Sequence, residues 1–208
     1  MLLRPAVPSD IPRIVALERT PHGRTFVGQW NEERHLTTLA GGNARYFVSE
    51  TESGELQAYS ILRGFKEDSG AIELKRIVVA NPERGLGRRI LEELISVAFN
   101  EYHAHRLFLD VYEDNARARH LYESVGFQYE GVIREAARRD GEYVSLRLMS
   151  MLDREYAQQP FKTGGSRGPQ SPENDHLKSR PSGQHLVAEP LFPDPCSLRS
   201  HFCSNVYL

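Results

Sequence analysis

Glu73-Leu74-Lys75-Arg76-Ile77-Val78-Val79-Ala80-Asn81-Pro82-Glu83-Arg84-Gly85-Leu86-Gly87-Arg88-Arg89-Ile90-Leu91 is the stretch on which the fold turns. Its first half is apolar and β-branched, which reads as a strand. A turn containing Pro82, Gly85 and Gly87 follows, and then Ile90, Leu91, Leu94, Ile95 and Ala98 recur at helical spacing. Strand, glycine-rich turn and helix in that order build an anion site. The first amides of a helix have no partner within it, and the two glycines leave the backbone open to close approach. Arg84, Arg88 and Arg89 oppose the helix dipole at that end, so the helix does not explain them, whereas a bound pyrophosphate does. The plainer reading is a strand-to-helix turn with an exposed basic first turn.

Two familiar phosphate loops do not fit. A P-loop ends in Gly-Lys-Ser/Thr, which this turn lacks. A dinucleotide fingerprint needs a third glycine three residues after Gly87, and Ile90 stands there.

Composition narrows the classes further. The chain has 208 residues and a net charge of -2, enough for a sizeable core and without the basic footprint of a nucleic-acid binder. No apolar run is long enough for a membrane span, and Met1-Leu2-Leu3-Arg4-Pro5 is too short in its apolar part for a signal peptide. The two cysteines, Cys196 and Cys203, lie near the C-terminus, so no disulfide framework or cysteine zinc site is expected in the body of the chain. The eight histidines are scattered and show no metal-ligand spacing. A soluble cytoplasmic protein is expected.

Taken in order, Leu2 to Val7 reads as a short strand. Ser9-Asp10 offers an N-cap, and Ile11, Ile14, Val15 and Leu17 give a first helix its apolar stripe. Phe26-Val27-Gly28-Gln29-Trp30 reads as a loop over a pocket or a simple hydrophobic closure. Asn31 caps a second helix from Glu32 to Leu39, which stops at Gly41-Gly42. Arg45 to Glu50 and Leu56 to Phe65 form a hairpin, and Ala71 to Ala80 is the next strand. A helix from Leu86 to about Tyr102, a strand from Arg106 to Tyr112, a helix capped by Asn115, and a hairpin of Phe127 to Arg134 with Tyr143 to Met151 complete the domain. From about residue 157 the text changes: seven of the twelve prolines fall there, among glycine and serine, with no sustained period. Residues 1–156 are expected to form the domain and 157–208 a largely disordered extension, from which Leu186-Val187 or Leu191-Phe192 could dock.

The run Asn115-Ala116-Arg117-Ala118-Arg119-His120-Leu121-Tyr122-Glu123-Ser124-Val125-Gly126-Phe127 supplies the second constellation. Asn115, Ala118, Tyr122 and Gly126 share one helix face, with a polar cap at one end and a glycine suited to a left-handed cap at the other. One reading is packing and capping alone; the other is a ligand lying along that face. Asn-x-x-Ala-x-x-x-Tyr-x-x-x-Gly-Phe resembles the second coenzyme-binding segment of the GNAT N-acetyltransferase superfamily. The turn at Gly85 and Gly87 resembles that family's first, Gln/Arg-x-x-Gly-x-Gly/Ala, with Pro82 departing from its leading position and Arg84 substituting in charge. Phe26 to Trp30 and the Tyr143 to Met151 strand resemble the branch containing ribosomal-protein alanine N-acetyltransferases.

The resemblance covers about Leu2 to Tyr156. It implies an α/β (α+β) fold: a mixed sheet of about seven strands with about four helices, splayed between the strand of Ile77 to Val79 and that of Leu107 to Val111. Acetyl-CoA would lie in the splay, its pantetheine paired with the backbone of Ile77, Val78 and Val79. Arg84, Gly85, Leu86, Gly87, Arg88 and Arg89 would hold its pyrophosphate, with Asn115 and Ala118 lining its arm. The implied reaction is direct acetyl transfer to a primary amine, with Tyr122 as general acid and Glu73 as general base. Glu113 or Asp114 is the alternative base. The plain reading of Glu73 is an exposed strand carboxylate paired with Lys75 or Arg76. Phe26, Trp30, Tyr143 and the Arg138-Arg139-Asp140 turn would shape the acceptor pocket, and a homodimer is compatible with this reading. A non-catalytic acyl-CoA-binding module of the same fold is the alternative.

Overall fold

The computed structural model describes residues 3–21, 23, 27–81, 85–159 and 205–207. They belong to one compact unit, Met1–Gln159 with Phe202–Leu208. Its elements are β1 (Arg4–Pro5), a 3-10 turn (Pro8–Asp10), α1 (Ile11–Glu18), α2 (Glu32–Ala40), β2 (Ala44–Glu50), β3 (Leu56–Arg63) and β4 (Ala71–Val79). Then come α3 (Leu86–Ser96), β5 (Arg106–Tyr112), α4 (Ala116–Ser124), β6 (Gln128–Arg139), β7 (Glu142–Leu152), α5 (Asp153–Tyr156) and β8 (Asn205–Tyr207). The sheet runs β1-β2-β3-β4-β5-β7-β6, with β8 joined to β4. Among the described strands, only the β4–β5 and β4–β8 pairs are parallel. This is the expected mixed sheet with its helices.

Local chemistry accounts for most boundaries. The Asn31 side chain accepts from the Arg34 amide at 2.9 Å and starts α2. Asp140 and Gly141 have φ of 53° and 91°, the left-handed pair that a two-residue hairpin turn requires, so β6 and β7 extend right up to them. Several boundaries differ from expectation: β6, expected to end at Arg134, runs to Arg139, and β3, expected to reach Phe65, ends at Arg63. The first strand shrinks to Arg4–Pro5, and Asp10 does not cap α1. Its carboxylate instead accepts the Val7 amide at 2.9 Å and two Arg4 nitrogens at 2.8 and 2.9 Å, closing a 3-10 turn ahead of the helix. Beyond Ser96, α3 continues as a π-helical turn, Val97–Glu101.

The core packs Ile11, Ile14, Val15 and Leu17 of α1 on Tyr46, Val48, Tyr59, Ile61 and Val78 of the sheet. Each such side chain contributes about 1.5–3 kcal/mol through burial. Across the sheet, β4 and β5 pair only at Ala71–Arg106, Ile72–Leu107 and Glu73–Phe108. The cause is visible in the register: Leu62 of β3 faces Leu74, but Ile61 faces Arg76, leaving Lys75 as an extra residue in β4. Such a bulge bends its strand. β5 meanwhile stays paired with β7 along its whole length, from Arg106–Leu152 to Tyr112–Leu146. The sheet therefore parts between β4 and β5 beyond Glu73. Within the extension, Leu186-Val187 and Leu191-Phe192 lie outside the described residues, whereas Asn205–Tyr207 is docked against β4.

Candidate active site

The parting of the sheet leaves one edge of β4 facing a gap. The Ala80 amide donates to the Gln57 carbonyl at 2.7 Å, on the β3 side. Amides alternate along an extended strand, so the N–H groups of Val79 and Ile77 point to the other edge, into the gap. Val78, between them, turns its side chain into the core around α1.

Two helices begin near the gap. Gly85 is the N-cap of α3 with φ 68°, a left-handed conformation that favours glycine, and a Cβ built there would meet, among the described residues beyond its chain neighbours, no atom within 4 Å. Gly87 is buried in the first turn of α3, beside Leu86 and the exposed Arg89. Arg88 reaches Ser124 of α4 and lies 3.5 Å from Glu92, so it bridges the two helices. Arg84 lies outside the described residues, as does Pro82. In α4, the Asn115 side chain accepts the Ala118 amide at 3.1 Å, which is the N-cap that the sequence indicates. Gly126, with φ 100°, ends the helix in the expected left-handed conformation.

Ala118 and Tyr122 are fully buried on the face between these caps. Phe127 meets the Tyr122 ring edge-on, with centroids 5.6 Å apart. The Tyr122 hydroxyl has no hydrogen-bond partner among the described residues. Burial, and secondarily the charge of Asp110, holds this phenol well above the usual tyrosine range. A buried hydroxyl left without a partner is costly, which makes it a group awaiting one. The gap, the open glycine turn and the orphan phenol together fit a coenzyme with a diphosphate at one end and a thioester at the other.

Glu73 sits at the last β4–β5 pair, where the gap begins. Contrary to the plain reading of an exposed strand carboxylate, it is buried. Arg63 Nε donates to it at 2.8 Å, a second Arg63 nitrogen also bonds it, and Lys75 Nζ donates at 3.2 Å. Lys75 is itself buried; that burial holds its ammonium below the usual lysine range, against the pull of Glu73 and Asp110. The alternative carboxylates are more open: Glu113 lies 3.5 Å from Arg147, and Asp114 pairs with Arg139.

Arg76 does not pair with Glu73. It is fully buried and pairs with Glu18 of α1, which also accepts from the Tyr59 hydroxyl. His35 Nε2 lies 3.2 Å from the same carboxylate, and the Trp30 amide donates to it at 3.2 Å. Trp30 is thereby fixed, with the guanidinium groups of Arg76 and Arg34 at 4.0 and 4.1 Å from its ring centroid. This Glu18–Arg76–Tyr59–His35 cluster was not foreseen. Its signal was present: Ile11, Ile14, Val15 and Glu18 follow helical spacing, which puts Glu18 on the buried stripe. Of the other acceptor-side candidates, Tyr143 is 67% exposed on the β6–β7 hairpin with Arg138 over its ring, and Phe26 lies outside the described residues. Among the described residues, no group of His, Cys, Asp and Glu is arranged to hold a metal ion. No helix among them is long and apolar enough to cross a membrane.

Known proteins resemble this chain in sequence and in fold. The chain is 36% identical over 69 residues to an L-amino acid N-acetyltransferase of Escherichia coli strain K12, covering 33% of this chain and 43% of that protein. It is 30% identical over 83 residues to a spermidine N(1)-acetyltransferase of Vibrio cholerae, covering 39% and 48%. The matches thus span about half, or less, of these two relatives. Among solved structures, a Vibrio cholerae spermidine N-acetyltransferase in complex with CoA and spermine superposes with a TM-score of 0.67 at 23% identity, covering 75% of this chain and 97% of that one. That likeness establishes a shared fold. The match that decides the family is the acetyltransferase (GNAT) domain profile, which runs from residue 6 to residue 146 and takes in both helix starts and the parted strands. By that match the chain belongs to the GNAT acetyltransferase family.

Proposed function

We propose that the chain is an acetyl-CoA-dependent N-acetyltransferase acting on a primary amine. The observation that carries this reading is the parting of β4 from β5 beside the unpartnered, buried phenol of Tyr122. When bound, acetyl-CoA supplies an activated thioester. The amides of Ile77 and Val79 would pair with its pantetheine, while the α3 turn (Arg84, Gly85, Leu86, Gly87, Arg88 and Arg89) would hold the diphosphate. Asn115 and Ala118 would border the arm. Most of the acceleration would come from holding amine and thioester in contact. The Val79 amide would polarise the thioester carbonyl.

Two proton movements remain. An attacking amine is mostly protonated at neutral pH, since alkyl amines have pKa values of about 10. Glu73 is proposed to accept that proton, directly or through water. Arg63 and Lys75 hold this carboxylate in place, and Glu73→Gln tests the role: a fall in kcat with acetyl-CoA affinity kept marks the base, whereas unchanged kcat removes it from the mechanism. Tyr122 is proposed to return a proton to the departing thiolate.

The acceptor is proposed to be a small-molecule amine. The relatives named above carry spermidine and L-amino acids in their names, and this chain inherits both as candidates. The likeness of Phe26 to Trp30 to ribosomal-protein alanine N-acetyltransferases adds peptide α-amines. Purified protein should release CoA from acetyl-CoA in the presence of one class among polyamines, L-amino acids and N-terminal peptides, with the acetylated amine identified by mass spectrometry. Acetyl-CoA binding without turnover across all three classes would support the non-catalytic acyl-CoA module instead.

A further inference from the structure

The gap between β4 and β5 contains a strand of this same chain. Asn205, Val206 and Tyr207 pair in parallel with Arg76, Ile77 and Val78. They lie where β5 has left β4, beyond the last β4–β5 pair at Glu73–Phe108. The pairing is centred on Ile77, whose amide faces this edge by the alternation set at Ala80. One strand edge offers one set of donors and acceptors, so it cannot serve two partners at once.

We propose that the Asn205–Tyr207 segment is an intramolecular competitor for the coenzyme slot, docking on β4 by strand addition and leaving when acetyl-CoA binds. The proposal rests on the reading of the gap as the pantetheine site. Recognition is through main-chain hydrogen bonds, as in other strand-addition contacts, and does not depend on a particular side chain. Because the segment is tethered to the domain, its local concentration is high and independent of dilution. A protein whose slot is occupied by its own chain binds ligand with an affinity reduced by the unoccupied fraction. Acetyl-CoA concentration would then set how much of the enzyme is open.

The test uses the full chain and its Tyr207→Pro variant. Ile77 faces this edge, so in a parallel ladder its amide meets the Asn205 carbonyl and its carbonyl takes the Tyr207 N–H, while the Val206 N–H points away. Proline at 207 removes that donor and leaves the folded domain untouched. If the docked strand fills the slot nine-tenths of the time, Y207P lowers the KM for acetyl-CoA about tenfold, with kcat little changed. A synthetic peptide of residues 202–208, added to Y207P, should inhibit competitively against acetyl-CoA and not against the amine; the same peptide with Tyr207→Pro should not inhibit. Hydrogen exchange adds an independent readout: without coenzyme the Ile77 amide should be protected in the full chain and exchange faster in Y207P. Equal KM values with no inhibition by the peptide would overturn the proposal. Failure of both proteins to bind acetyl-CoA would overturn the function proposed above instead, and the Ile77 exchange comparison would still decide whether the strand docks.

Discussion

Tyr122 and Glu18 show how differently two fully buried polar residues behave. The Tyr122 hydroxyl has no partner among the described residues, so removing it deletes an unsatisfied group and no native bond. Tyr122→Phe should therefore leave the melting temperature unchanged or slightly raised while lowering kcat about 100-fold or more, the scale of a general acid. Acetyl-CoA affinity, followed by calorimetry, should stay within about twofold. Unchanged kcat at saturating substrates would remove the phenol from the mechanism.

Glu18 is the opposite case. Burial pushes its carboxyl up, but His35, Arg76 and Tyr59 together outweigh burial and hold it below the usual carboxylate range. A carboxyl depressed in the folded state contributes stability that is fully present above its unfolded pKa of about 4.3 and is lost as pH falls through the lower folded value. Urea unfolding from pH 7 downwards should show this loss, and Glu18→Gln should abolish that part of the slope. The substitution also leaves the Arg76 guanidinium buried without its counter-ion, which costs about 3–5 kcal/mol. A near-neutral effect of E18Q would mean that Arg76 does not depend on this partner.

At the scale of elements, the start of α3 can be separated into backbone and space. Gly85 is left-handed, and a side chain there meets open space on the protein side. Gly85→Ala should cost about 1–2 kcal/mol from its conformation alone. Gly85→Asn, which tolerates that conformation, should recover part of this stability. Both should raise the KM for acetyl-CoA, because each adds a side chain where the diphosphate is proposed to approach the backbone. If G85N matches the unsubstituted protein in KM, the turn does not contact the coenzyme. The bulge at Lys75 is the second decisive element, since it bends β4 and lets β5 part from it. Glycine turns and asparagine caps are legible in sequence because their conformational preferences act within a few residues. A bulge is not, because it is defined by the partner strand's register.

For the molecule as a whole, the proposed coenzyme should act as a folding ligand. Acetyl-CoA at a hundred times its Kd should stabilise the chain by about 2.7 kcal/mol, visible as a rise of several degrees in melting temperature. ATP and NAD, whose loops this turn does not match, should give no comparable shift. A shift with ATP or NAD equal to that with acetyl-CoA would contradict the assigned site.

Sequence alone determined the strand–turn–helix at Glu73 to Leu91, the Asn115-to-Gly126 helix face, the caps at Asn31 and Asn115, and the hairpin at Asp140-Gly141. Each follows from the shape and hydrogen bonding of neighbouring residues. Tertiary structure decided which charges meet: Arg76 with Glu18 rather than Glu73, and Glu73 with Arg63 beside the Lys75 that the sequence already offered, in a buried place. It also decided that Asn205–Tyr207 lies against β4. Arg76 and Glu18 lie 58 residues apart, and Asn205 is farther still from β4; what brings them together is the register and opening of the sheet, a property of several strands at once that no single stretch encodes.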